Sequence, residues 1–464
     1  MKRLKAGLTC IAVMGLLSGV STWSLAQEAD VRNPDTFVEA TRNSIETLDP
    51  HFMVSSATTA ISYNVYDSLL VSTTDGTLKP GLATAVPSLE NELIKITEDG
   101  KTSITFPIRE GVKFHNGAVL TPEDVKYTFT RGIVVGAKTS LCQPLTDAGT
   151  FKTLVDEVGL EKAYNMVDSA ITTDQNSVTF HLPHAFAPFL GMIADNGMVF
   201  GIMNKAWCVA QGAWSGTADS VEERVALTID KDPLHDKMMG TGPFEVQSWL
   251  KGDRLILKRF DDYWRGPAKM KRVIRQVITD NAVSVQYLQR GDVDFFALSL
   301  TDLQQVEGYP GIRVVKGIPA AQLIKINFNF DIKQDKYLGD GKLGENGTPA
   351  DFFSDIDVRK GLCYTFDYDT FINDVLMGAG QKPYGPVLIG FPTANPDNPQ
   401  YTFDLEKATE YFKKALDGQL WYKGFKLTVP YSAGSTHRQR ALEILKFNLK
   451  RINPKFNLEL TSLP

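Results

Sequence analysis

The sequence lacks the motifs that announce most chemistries. No G-x-S-x-G elbow, no G-x-x-x-x-G-K-[ST] loop and no H-E-x-x-H pair occurs in its 464 residues, so nothing marks a hydrolase nucleophile, a P-loop or a zincin helix. It also lacks a basic block. Lys plus Arg number 49 against 54 Asp plus Glu, a net charge of −5. Loss of the first 26 residues would remove three cations and no acids, leaving 46 against 54, or −8. A chain of that sign, with its charges mixed, has no attraction for nucleic acid or an anionic membrane. No stretch rich in Pro, Gly or Ser and no low complexity interrupts it, so its modules are joined without a flexible tether. Its length allows two or three domains.

The long apolar run is confined to the start. Lys2, Arg3 and Lys5 precede apolar residues from Leu8 to Val20, and Ser24-Leu25-Ala26 stands before Gln27. This is the pattern of a secretory signal peptide cut after Ala26, with an apolar run too short to span a bilayer. Cys10 lies inside the run and no cysteine follows it directly, which argues against a lipid-bearing new N-terminus and favours a soluble exported protein.

Cysteine is scarce: Cys142, Cys208 and Cys363 survive the cut. In an oxidising compartment two can pair. Cys142 and Cys208 lie in loop-like sequence, "TSLCQPLTD" and "NKAWCVAQG", whereas Cys363 follows a four-residue apolar rhythm with Val358, Leu362 and Phe366. The expectation is a Cys142–Cys208 disulfide, with Cys363 free and buried as a small apolar residue.

What is present is regular structure. Ile104, Phe106 and Ile108 alternate as in a half-buried strand, Asn116-Gly117 turns the chain, and Thr121, Pro122 and Asp124 announce a capped helix with Val125, Thr128 and Phe129 buried. "ITEDGKTSITFPI", "ITTDQNSVTFHL" and "GTGPFEVQSWLKGDRLILKRF" read as three hairpins. Beyond them an αβ rhythm begins: a strand at Val273 to Val277, a helix from Val283 to Arg290 stopped by Gly291, a strand "LIKINFNF", two successive helices, the helix "TFDLEKATEYFKKAL", the strand "FKLTVPY" and the helix "HRQRALEILKFNLKRI". The fold class is α/β, a hairpin-rich module followed by an α/β module.

Candidate chemistry is thin. "GDGKLG" at 339 to 344 matches a dinucleotide fingerprint by letters, but no helix follows directly. His181 and His184 flank Pro183, which forbids the helix that a metal pair at that spacing needs. His115 has no acid beside it and reads as a turn histidine rather than a general base. Aromatics cluster in the second half (Tyr263-Trp264, Phe295-Phe296, Phe328, Phe330, Tyr364, Tyr368, Tyr384), most of them as core and a minority free to line a cleft. No cofactor is expected.

Taken together, "LDPHF", "YNVYDSLLVSTTDGTLKPGLATAV", "ITFPIREGVKFHNGAVLTPEDVKYTF", "MGTGPFEV", "FDDYWRGPAKMKRVIRQVI", "LQRGDVDF" and "SDIDVRKGLCYTFDYDTFINDVLMGAG" resemble, in order, the extracellular solute-binding proteins of the oligopeptide, dipeptide and nickel class that feed ATP-binding cassette importers. The resemblance covers nearly all the chain after residue 26. It implies a two-lobed periplasmic binding protein fold with an additional strand-rich accessory module on the first lobe: residues 27–60 and 197–280 as first lobe, 61–196 as accessory module, 281–464 as second lobe. It implies a periplasmic, non-catalytic monomer that takes a small peptide or related solute between two closing lobes and hands it to a membrane permease. The His115 turn is then scaffold. In peptide-binding relatives the ligand backbone pairs with a segment just after Leu-Asp-Pro, here Val54, Ser55 and Ser56; Asn329 and Arg438 are the second-lobe candidates.

Two alternatives stand beside it. An exported peptide or glycan hydrolase would draw paired carboxylates from Asp261-Asp262 or Asp292 and Asp294, and an oligosaccharide ligand would suit the aromatic supply. The resemblance also implies a chain that continues past "NLELTSLP", supplying an acid for a peptide's amino group and a return segment to the first lobe. Without them the expectation is poor solubility or weak binding.

Overall fold

The computed structural model describes residues 33–463 apart from 53–55, 74, 136–140, 196–199, 223–227, 299–301, 317–322, 390, 392 and 433–434. The predicted signal peptide lies outside the described residues. The chain divides into two units, Met1–Leu298 with Gly308–Ile312, and Ser299–Glu307 with Arg313–Pro464.

In the first unit, the stretch around His115 folds as its residues dictate. Thr102, Ile104 and Phe106 point inward from the strand Thr102–Pro107, which lies between Ile94–Ile96 and Ser177–Leu182 in a four-stranded antiparallel sheet completed by Ile171–Thr173. Both predicted hairpins of this region are therefore present. Gly117 turns the chain at φ 82°, and the Thr121 and Asp124 side chains cap the helix Pro122–Val134 reciprocally, two orphan donors satisfied at once. That helix lays Phe129 edge-on against Phe180 of the sheet (4.9 Å between ring centres) and flat on Phe200 (4.7 Å).

A second, five-stranded sheet runs in the order Phe295–Phe296, Thr36–Thr41, Arg272–Val277, Arg254–Arg259, Phe244–Leu250. Thr36–Thr41 is parallel to both neighbours, and the third predicted hairpin supplies the antiparallel edge. Strand alternation gives each face its own cover. Leu255, Leu257 and Val273 share the first unit's core with Ile61 of the helix Ser56–Val65, and Phe37 and Ala60 line a cavity beside them; Val38, Ala40 and Phe296 pack with Tyr287 and Leu288 of the helix Asn281–Arg290. Gly291, at φ 72°, ends that helix as expected.

These contacts differ from the expected boundaries at two places. Residues 281–298 belong to the first unit, because Phe295–Phe296 pairs with Thr36–Thr41. The expected boundary at 60/61 falls inside the helix Ser56–Val65, and one core joins Leu69, Phe106 and Phe180 with Leu255 and Leu257.

In the second unit, the parallel strands Phe425–Ser432 and Phe456–Leu463 are connected by the helix Thr436–Ile452. Phe425, Phe456 and Phe412 pack around Leu449 and Phe352. The helices Ile356–Thr365 and Leu405–Lys414 meet at Gly361, where an added Cβ would fall 2.6 Å from the Phe412 ring. Gly361→Ala is therefore expected to destabilise by about 1–3 kcal/mol through overpacking, read as a lowered urea midpoint with an unchanged m value. "LIKINFNF" carries no ladder in the structure, and Ile324, Ile326 and Phe330 are exposed along it. "GDGKLG" is the extended strand Gly339–Gly344, and the next α-helix begins only at Ile356.

Candidate functional site

The Leu-Asp-Pro opening is built around a buried ion cluster. Leu48 and Asp49 are fully buried, as is Arg131 of the helix Pro122–Val134. The Arg131 guanidinium grips Asp49 bidentately, Nη1 donating to Oδ1 at 3.0 Å and Nη2 to Oδ2, while Nη2 also reaches Asp232 Oδ2 at 3.3 Å. Asp49 Oδ1 accepts from the His51 amide (2.9 Å), which shapes the short 3-10 turn Pro50–Phe52. Burial and the Arg131 charge push His51 down to about 3, so the ring is neutral and its Nδ1 accepts from Arg131 Nη1 at 2.6 Å. Burial, reinforced by the Asp49 charge, raises Asp232 to about 6.

A second anchor follows the helix Ser56–Val65. Asp67, also buried, accepts from Thr241 Oγ1 (2.9 Å), Tyr263 Oη (3.0 Å) and Trp264 Nε1 (3.0 Å). Gly242 N–H donates to Val65 O (2.9 Å). His115 completes this corner as scaffold: Gly240 N–H donates to its Nδ1 (3.4 Å), its Nε2 donates to Gly242 O (3.0 Å), and burial holds its pKa low.

Among the predicted ligand residues, Val54 and Ser55 lie outside the described residues, and Ser56 is the first residue of the helix Ser56–Val65. Asn329 is exposed, its Oδ1 accepting from the Asp331 amide (3.1 Å). Arg438 is exposed near the start of the helix Thr436–Ile452, donating to Ser432 Oγ (2.9 Å). The contacts of both are local to the second unit.

The predicted disulfide is corrected. Cys142 and Cys208 are free, buried thiols. Neither lies in a loop: Cys142 opens the helix Cys142–Thr146 and faces Thr146 Oγ1 at 3.4 Å, and Cys208 sits in the helix Lys205–Ala210. Both serve as small apolar residues of the first unit's core. Cys363 is free but only part-buried.

The acids a hydrolase would need are otherwise engaged. Asp261 pairs with Arg259, Asp262 with Lys113 and Asp292 with Arg290, all at the surface; Asp294 caps the Val38 amide at 2.8 Å. His181 bridges Ser103 and Thr172, while His184 faces Asp147. Among the described residues no group of three or more His, Cys, Asp or Glu is placed to hold a metal.

With this geometry in hand, the comparisons are decisive for the family. Residues 77–463 match the model of the bacterial extracellular solute-binding proteins, family 5 Middle. The chain belongs to this family. It is 26% identical over 411 residues to the dipeptide-binding protein of Escherichia coli K12, a match covering 86% of this chain and 66% of that protein. The chain thus spans just under two thirds of that relative's length. Among solved structures, it is similar to the oligopeptide-binding protein AppA of Bacillus subtilis in complex with a nonapeptide (TM-score 0.61, 19% identity, 92% of this chain and 74% of that one). It is similar also to NikZ of Campylobacter jejuni in complex with Ni(L-His) (TM-score 0.61, 17% identity, 93% and 74%). Both are two-lobed periplasmic binding proteins, so the expected fold class stands. These two similar structures differ in what they hold, and the fold itself does not choose a ligand.

Sequence reasoning missed the Arg131 cluster. Its only local signal was an arginine sharing a helix face with Tyr127, Thr128, Val134 and Val135, three and four residues away; its partners lie 82 and 101 residues away.

Proposed function

We propose that this chain is the solute-binding receptor of an ATP-binding cassette importer, capturing a short peptide outside the cytoplasm and presenting it to a membrane permease. The family match over residues 77–463 carries the reading, and the named dipeptide- and oligopeptide-binding relatives favour a peptide. Val54, Ser55 and Ser56 supply main-chain pairing, which is indifferent to ligand side chains; Asn329 and Arg438 are the polar contacts of the second unit. The receptor catalyses nothing: the carboxylates that a hydrolase would use are tied into ion pairs and a backbone cap. It is exported, cut after Ala26, periplasmic and monomeric, without a bound cofactor.

Native mass spectrometry of protein purified from cell extract tests the reading. The expected result is a mature mass beginning at Gln27 with co-purifying masses of short peptides, displaced by a di- and tripeptide mixture. A co-purifying oligosaccharide, or turnover of peptide that stops in an Asp292→Asn variant, overturns it.

A further inference from the structure

One face of the five-stranded sheet carries an ion pair in its apolar middle. Arg272–Val277 is the central strand of that sheet. Its Val273 and Arg275 stand in register with Phe37 and Glu39 on one side and with Leu257 and Leu255 on the other, so these side chains share a face. They line a cavity of about 170 Å³ together with Ala60, Ile61 and Asn64 of the helix Ser56–Val65. Ala60 is exposed and Asn64 half-buried, so the cavity opens to solvent along the helix.

Arg275 is only 8% exposed, yet its donors are poorly employed. Nη1 meets Glu39 Oε2 at 3.3 Å and Nη2 donates to Thr41 Oγ1 at 3.4 Å. Both are long beside the about 2.7–2.9 Å of a well-matched guanidinium and carboxylate. Nε is buried and has no hydrogen-bond partner. Nε and Nη2 form one edge of the guanidinium, so that edge lacks what it fits best, two oxygens side by side. Burial raises the pKa of Glu39 and lowers that of Arg275, each opposed by the charge of the other. The cavity thus penalises two charges that compensate one another incompletely.

We propose that this cavity binds a free aliphatic α-amino acid: the ligand carboxylate takes the Nε–Nη2 edge of Arg275, its ammonium takes Glu39, and its side chain lies on Ile61, Leu255, Leu257 and Val273. Charge decides the class. A simple anion would stand beside the Glu39 carboxylate and a simple cation beside the Arg275 guanidinium, each meeting a like charge. A zwitterion meets an opposite charge at both ends and leaves the cavity neutral. Size decides the rest. An engineered apolar cavity of about 150 Å³ takes benzene, so about 170 Å³ suits a side chain such as valine's. Drug-sized and peptide ligands need pockets of about 300 Å³ and more. The site lies wholly within the first unit and uses none of the residues proposed above for peptide contact.

NMR titration of the methyl-labelled full chain with L-valine tests it. The expected result is saturable shifts at millimolar ligand in the methyls of Ile61, Leu255, Leu257 and Val273, with those of Leu442 and Leu445 in the second unit unmoved. Isovalerate and isobutylamine, which each keep the side chain and one charge, are expected to bind at least about tenfold more weakly. Glu39→Gln combined with Arg275→Met removes both charges together, so neither is left unpaired, and is expected to weaken valine binding about tenfold or more. Absence of shifts at these four residues with ~50 mM valine, or shifts confined to other residues, overturns the site. Isovalerate binding as tightly as valine overturns the zwitterion class, and so does undiminished valine binding by the double variant; the ligand series on the unmutated chain decides the question if that variant fails to fold. Trialanine is expected to leave these methyls unmoved, and failure of the receptor reading would change none of these outcomes.

Discussion

Asp67→Ala is expected to lower the unfolding free energy by about 3–5 kcal/mol, the largest loss among the substitutions considered for this chain. The carboxylate is buried and accepts three neutral donors, from Thr241, Tyr263 and Trp264. Removing it orphans all three, at about 1–3 kcal/mol for each donor left without a partner, offset by relief from burying a carboxylate that its surroundings already push upward in pKa. Asp67→Asn keeps the shape and one acceptor oxygen, so roughly half the loss is expected. Because Asp67 joins the end of the helix Ser56–Val65 to the loops on either side of the hairpin Phe244–Arg259, the loss should appear as an earlier cooperative transition in urea. A change below about 1 kcal/mol in the alanine variant would mean that the three donors find other partners.

Local chemistry explains which elements were legible. The Thr121–Asp124 cap, the hairpins, the helix ended by Gly291 and the strand at Phe425 are decided by side chains within a few residues of one another, and alternation or capping reports them directly. "LIKINFNF" alternates equally well, but a strand is completed by a partner, and alternation does not name one. Cys142 and Cys208 were read from loop-like surroundings; each lies in a helix of only five or six residues, too short for periodicity to reveal. The ion cluster was hidden for a third reason. A lone arginine on an apolar face looks the same in sequence whether it reaches solvent or meets buried carboxylates, and Asp49, Arg131 and Asp232 come together only through the tertiary fold.

That cluster carries one cation against two carboxylates, with His51 neutral, and this imbalance leads to the last prediction. Asp232 is raised from its ordinary 3.8 to about 6, by burial first and by the Asp49 charge second, with Arg131 opposing. A carboxyl whose folded pKa is raised binds its proton more tightly in the native state than in the unfolded one. Its stabilising contribution is therefore complete below about pH 4 and lost as pH rises through about 6. Asp49 works in the opposite sense: its pKa is lowered, so its contribution is present at neutral pH and lost on acidification. The window between about pH 4 and 6 isolates Asp232. Asp232→Asn mimics the protonated acid, since its carbonyl oxygen can still accept from the Leu234 amide, bonded at 2.7 Å in the structure, and its amide can face Asp49. The variant is expected to match the unmutated chain near pH 4 and to exceed its unfolding free energy by about 2–3 kcal/mol at pH 8. Glu39, Asp67 and Asp124 are also raised by burial, but they act equally in both proteins and cancel in the difference. Urea titrations at intervals across this range decide it. A difference between variant and unmutated chain that stays constant from pH 4 to 8 would show that Asp232 does not titrate there.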